Sequence, residues 1–175
     1  MLPIETALKE AAALTEAELN RQLSEPLCGE TVLADAMRYA SLGGGKRIRA
    51  FLTLSFCRML GGSDAASLPF AAALEMVHAY SLVHDDLPCM DNDDMRRGKP
   101  STHKAYGEAN ALLAGDALLT HAFGAIASDQ AVTARSATLA VCELSYGAGA
   151  LGMAGGQFYD LSDDCPSFDA LRQLQ

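Results

Sequence analysis

Between residues 68 and 86 the apolar positions Leu74, Val77 and Leu82 recur at spacings that place them on one side of a helix, with the small Ser81 beside them. The same period runs through residues 8–23, 32–42, 49–60, 108–126 and 131–146, and each of these segments is predicted to be helical. The runs Ala11–Ala13 and Ala71–Ala73 favour helix and let neighbouring helices approach closely. No alternating run bounded by Asn-Gly or Asp-Gly turns speaks for a strand. The pattern predicts an all-α fold with helices long enough to line a central cleft.

Three segments interrupt the helical pattern. Gly43-Gly44-Gly45 ends one helix and opens the next, Gly61-Gly62-Ser63-Asp64 forms a loop, and residues 88–107 make a longer polar stretch expected to carry function. No repeat at solenoid periods and no low-complexity linker is present. A chain of 175 residues is expected to form one domain, residues 1–175. Residues 167–175 look like the start of a helix with Ser167 as its N-cap, which suggests a chain cut short at its carboxyl end.

Charge narrows the partners. Thirteen basic residues against 22 acidic ones leave a formal charge of −9, which disfavours nucleic acid and anionic lipid. Any anionic substrate must then be met by a local basic cluster or by metal ions. The five cysteines (Cys28, Cys57, Cys89, Cys142, Cys165) are scattered, with no Cys-x-x-Cys pair, which argues against a disulfide framework or a zinc site. The amino terminus does not read as a signal peptide, and no apolar run reaches the ~18 residues of a membrane span. These features lead to the expectation of a cytoplasmic protein.

The densest chemistry lies at Asp85-Asp86-Leu-Pro-Cys-Met-Asp91-Asn-Asp93-Asp94-Met-Arg96-Arg97-Gly-Lys-Pro, with five carboxylates in ten residues followed by two arginines. A divalent cation would relieve the repulsion among the acids. Hard oxygen donors suit Mg²⁺, which binds through one or two carboxylates plus substrate phosphate oxygens. Asp85 and Asp86 stand at the carboxyl end of an apolar helix, where the dipole disfavours anions, so their presence there hints at function. Arg96 and Arg97 can grip phosphate with two parallel donors.

A second motif, Ser41-Leu-Gly-Gly-Gly-Lys46-Arg47-Ile-Arg49, reads either as a phosphate cradle or as a glycine C-cap followed by a basic surface turn. In the first reading Lys46 and Arg49 share a helical face at i, i+3. It is not a Walker loop, since the spacing and the residue after the lysine are wrong. His78 lies two turns before Asp85 and is either a donor to a second diphosphate or a core histidine. His84, beside the aspartates, is placed to orient a carboxylate.

In this order, Gly-Gly-Lys46-Arg47-Ile-Arg49, His78, Asp85-Asp86-x-x-x-x-Asp91 and Arg96-Arg97-Gly-x-Pro resemble the trans-isoprenyl diphosphate synthases. The likeness continues through residues 107–110, 114–118 and 152–157 and is greatest to the bacterial farnesyl diphosphate synthases. It implies the isoprenoid synthase fold, a homodimer, and Mg²⁺ held by Asp85, Asp86 and Asp91. Those aspartates would serve catalysis, and Arg96 would contact the allylic diphosphate. Lys46, Arg49, His78 and Arg97 would bind isopentenyl diphosphate. The implied chemistry is ionisation of the allylic diphosphate, attack by the isopentenyl double bond and loss of a proton, giving farnesyl diphosphate.

In this family the pocket floor comes from the side chains four and five positions before the first aspartate, here Ser81 and Tyr80, roughly 6–8 Å below the metal site at about 1.5 Å per residue. Small Ser81 leaves room and bulky Tyr80 stops growth, which, with the insertion Pro88-Cys89, resembles farnesyl rather than geranylgeranyl diphosphate synthases. Family members also carry a second Asp-rich motif on a later helix. Asp163-Asp164 lacks its context, so this chain is expected to be inactive alone. Other readings are a non-catalytic prenyl-diphosphate-binding partner subunit and, ranked low because Lys46 and Arg49 have no use in it, a terpene cyclase.

Overall fold

A computed structural model describes residues 3–24 and 31–161. In chain order these form α1 (Ile4–Gln22), α2 (Val32–Ser41), α3 (Ile48–Met59), α4 (Asp64–Asp85), a hairpin of β1 (Met95–Arg96) and β2 (Lys99–Pro100), α5 (Thr102–Tyr106), α6 (Glu108–Ser128), α7 (Ala134–Ala148) and α8 (Met153–Leu161). The helical reading holds, with ends shifted by a few residues. The chain divides into two compact units, residues 1–132 and residues 133–175. Asp163, Asp164, the proposed helix start at 167–175, Cys28 and Cys165 lie outside the described residues.

In the first unit α4 is the central element, packed against α6, α3, α1 and α2. Its side chains explain the position. Ala71, Ala72, Ala73 and Met76 are fully buried, so the middle of α4 is packed on more than one side. The single apolar face expected from Leu74, Val77 and Leu82 is therefore incomplete: Val77 is buried, while Leu74 and Leu82 are only half-buried. Alanines, too weakly apolar to mark a stripe, make the tighter contacts.

On α6 the buried stripe Ala111, Ala114, Leu118 and Ala122 follows helical spacing. Gly115 completes it, because a Cβ there would collide with the His84 imidazole of α4. Starts are capped where the sequence allows: the Thr31 hydroxyl accepts from the Ala34 amide (3.3 Å), and Ser63 does the same for Ala66 (3.3 Å). Both α4 and α6 have the length and apolar composition of a membrane-crossing segment, but 56% of the α4 stretch is buried within the protein, as in a core helix.

The polar stretch after α4 is more ordered than its composition suggests. It holds a two-residue antiparallel ladder (Met95 opposite Pro100, Arg96 opposite Lys99) and the short α5. Arg97 (φ 53°) and Gly98 (φ 79°) both take left-handed conformations, as a tight type I′ hairpin requires. The Tyr39 hydroxyl of α2 donates to the Pro100 carbonyl (2.8 Å), and Lys99 Nζ sits 4.6 Å from the Tyr39 ring centroid. These contacts fasten the hairpin to the end of α2.

In the second unit, α7 starts at a Thr133 cap, whose hydroxyl accepts from the Ser136 amide (3.2 Å). Glycines 152 and 155 allow the chain to fold tightly into α8, since a Cβ at either would meet a backbone carbonyl. This helix was not among the segments expected to be helical.

Candidate active site

The aspartate motif begins where α4 ends. The chain folds back at once: the Met90 and Asn92 amides donate to the Leu87 carbonyl (2.9 and 3.1 Å), and the Asp91 amide donates to the Asp85 carbonyl (2.9 Å). This last bond draws Asp91 back to Asp85 across six positions. Asp85 is half-buried and Asp91 exposed. Tyr80, one turn earlier on α4, has its hydroxyl pKa raised by burial and then by the Asp85 charge, which places both near one part of the surface.

Asp86 behaves differently. It is 2% exposed, and its carboxylate accepts from Arg96 Nε (3.0 Å) and from Arg96 Nη2. That bond holds the Arg96 guanidinium more firmly protonated than usual. Asp86, expected as a metal ligand, is thus committed to an arginine here. Asp94 is also engaged: Lys104 Nζ lies 2.8 Å away, and this bond lowers the Asp94 pKa. Asp85 and Asp91, the half-buried and exposed acids joined by that backbone bond, offer hard oxygen donors. Among the described residues no three acidic, histidine or cysteine side chains form a metal cluster. Such a set fits Mg²⁺, whose shell is completed by water and phosphate oxygens.

Arg97, next in sequence, turns the other way. Its Nη1 donates to the Gly44 carbonyl, and its Nη2 lies 3.5 Å from His78 Nε2. Gly45 (φ 132°) leaves room for this approach, since a Cβ there would stand 2.9 Å from Arg97 Nη1. Burial and then the charge of Arg49 lower the His78 pKa. Arg97 is likewise lowered, first by burial and then by Arg47, with Arg49 also contributing. Arg49, His78 and Arg97 therefore form one electropositive group, and exposed Lys46 follows Gly45 directly.

Lys46 and Arg49 do not share a helical face. With Gly45 at φ 132° and Arg47 at φ 47°, α3 starts only at Ile48, so Lys46 belongs to the preceding loop. His84 Nε2 lies 3.1 Å from the Leu112 carbonyl and 3.7 Å from Asp116, both on α6. Tyr80 packs edge-to-face on His84 with ring centroids 5.5 Å apart, and the Ser81 hydroxyl donates to the His78 carbonyl (3.0 Å). Two buried residues of this region, Glu75 and Arg47, had not been singled out. Glu75 stands in no motif, and Arg47, though it lies within the glycine-lysine motif, was given no role there.

A comparison with protein-family models matches residues 30–174 to "Polyprenyl synthetase". The chain belongs to the polyprenyl synthetase family. This member is 47% identical over 165 residues to a farnesyl diphosphate synthase of Geobacillus stearothermophilus, covering 93% of the chain and 55% of that relative. It is 46% identical over 157 residues to the large subunit 1 of a heterodimeric chloroplastic geranylgeranyl pyrophosphate synthase of Arabidopsis thaliana, covering 86% of the chain and 42% of the relative.

The crystal structure of an FPP/GFPP synthase from Zymomonas mobilis superposes with a TM-score of 0.88 at 36% identity, over 97% of this chain and 63% of that one. The fold is that of the isoprenoid synthases, and the family is one of prenyltransferases. The chain spans about half the length of the curated relatives it matches.

Proposed function

We propose that this polyprenyl synthetase chain carries the substrate-binding part of a farnesyl diphosphate synthase, which condenses isopentenyl diphosphate with dimethylallyl and geranyl diphosphates. The observation that carries the reading is the divergence of Arg96 and Arg97. Adjacent in sequence, they serve two clusters, Arg96 beside the aspartate motif and Arg97 among His78, Arg49 and the glycine loop. Two diphosphate headgroups need two such seats.

Asp85 and Asp91 would hold Mg²⁺, which when bound supplies positive charge to the departing allylic diphosphate. Arg96 keeps its Nε/Nη2 edge on Asp86, and its Nη1 group can donate to the same diphosphate. Lys46, Arg49, His78 and Arg97 would grip isopentenyl diphosphate and orient its double bond toward the allylic carbon. Half-buried Tyr80 and Ser81 would line the shaft into which the product grows. We take the assembly to be a homodimer, which sedimentation of the protein checks.

The second reading is a geranylgeranyl diphosphate synthase, favoured by the 46–48% identity to relatives of that name. One experiment separates the two. The chain is joined to the remaining portion of the Geobacillus relative and supplied with Mg²⁺, isopentenyl diphosphate and geranyl diphosphate. A fifteen-carbon product supports the proposal and a twenty-carbon product the second reading. Absence of both, together with no binding of isopentenyl diphosphate by the chain itself, overturns both.

A further inference from the structure

Glu75 is an acid inside the protein, 3% exposed, one turn before His78 on α4. Its Oε2 accepts from Arg47 Nη1 (3.1 Å), and its Oε1 accepts from the Ala50 amide (3.3 Å). Arg47 is 4% exposed and donates through Nη2 to the Ser41 carbonyl (2.6 Å) and to Glu16 (3.2 Å). The pair thus ties together the end of α2, the first turn of α3, the middle of α4 and a residue of α1.

Three details argue that this tie serves more than cohesion. Arg47 is the N-cap of α3 but makes no capping hydrogen bond, so a carboxylate from another helix takes that place, where the helix dipole favours an anion. Arg47 holds a left-handed backbone, and its buried Nε has no hydrogen-bond partner. A buried ion pair is no more stabilising than well-packed apolar groups of the same volume, so such costs are hard to explain by stability alone. The residues it fixes are next to the cationic group: Lys46 precedes Arg47, Arg49 precedes Ala50, and His78 follows Glu75 by one turn.

We propose that Glu75 and Arg47 are positioning residues for the homoallylic diphosphate, holding Lys46 and Arg49 of the α3 entry at a fixed spacing from His78 of α4. This rests on reading the cationic group as the isopentenyl diphosphate seat. The Glu75 charge acts in the same sense on energetics, since it opposes the mutual lowering of His78 and Arg97 by their cationic neighbours.

Glu75→Gln alone would strand the Arg47 charge in the interior, so the decisive variant is the double Arg47→Gln/Glu75→Gln. It removes one charge of each sign and leaves the net charge unchanged, which separates positioning from simple attraction. Calorimetric titration of the 175-residue chain with isopentenyl diphosphate is expected to show affinity about tenfold to a hundredfold weaker than in the unaltered chain. Affinity for geranyl diphosphate with Mg²⁺ should stay within about twofold, a split that a general loss of structure would not produce.

Arg47→Lys keeps the charge but loses the fork and is expected to show the same selective loss, smaller in size; it decides the matter if the double variant does not fold. Unchanged isopentenyl diphosphate affinity, or an equal fall for both ligands, overturns the positioning role. Failure of the unaltered chain to bind isopentenyl diphosphate would instead remove the reading of the seat, and the positioning role with it.

Discussion

Arg96 turns the Nε/Nη2 edge of its guanidinium onto the buried carboxylate of Asp86, ten residues earlier, with Nε 3.0 Å from Oδ1. The bond joins the end of α4 to the first strand of the hairpin and removes Asp86 from the acids available to a cation. The stability of the fold should therefore depend on Asp86 and scarcely on Asp91. Asp86→Ala is expected to lower folding free energy by about 1–3 kcal/mol, less than a fully buried pair would lose because Arg96 is about one-third exposed. Asp91→Ala, on the surface, should change it by no more than about 0.5 kcal/mol. Urea denaturation of the two variants measures both.

His78 offers a test through protons. Burial and the cation Arg49 depress its folded pKa below the ordinary 6.5, so the folded protein resists protonating a residue that the unfolded chain protonates freely. Its contribution to stability is present above about pH 6.5 and is lost as pH falls through the folded value. His78→Gln should flatten the decline of stability in that window, as followed by thermal melting between pH 5 and pH 7. A diphosphate bound beside His78 would raise its pKa, so calorimetry near pH 6 in buffers of different ionisation enthalpy should show proton uptake by the unaltered chain and less by His78→Gln.

Arg97 occupies a backbone conformation that costs an ordinary residue about 1–2 kcal/mol. Arg97→Asn relaxes that cost while forfeiting the bond to the Gly44 carbonyl, worth about as much. Stability is expected to stay within about 1 kcal/mol, whereas affinity for isopentenyl diphosphate should fall by about a hundredfold, since a charge-assisted bidentate grip is lost. Parallel denaturation and binding titrations distinguish this outcome from damage to the fold.

Tyr80 is the position at which product length is tested. Tyr80→Ala removes a half-buried ring that packs on His84, and in the chimaeric enzyme it should shift the product beyond fifteen carbons. Chromatography of the dephosphorylated products reads the result. An unchanged fifteen-carbon product would show that the floor lies elsewhere.

Much of this was legible in the residues, and the exceptions have physical causes. The helices declared themselves through apolar spacing, and the residues that gather around the aspartate motif and the glycine loop through charge in a fixed order. The hairpin escaped because strands of two residues cannot display an alternation. Lys46 was misplaced onto a helix because the left-handed turns at Gly45 and Arg47 delay the start of α3. Asp86 looked equivalent to Asp85, since nothing in a run of acids reveals which one a later arginine claims. Glu75 and Arg47 stand 28 positions apart in sequence, and only packing makes them partners.

The tight hairpin at Arg97-Gly98 also acts as a caliper. A single peptide link separates the two arginines, so one turn carries a ligand for each of the two headgroups they are proposed to hold. Any flexing of that turn would move both guanidinia together, and insertion of one residue between them would uncouple the two grips.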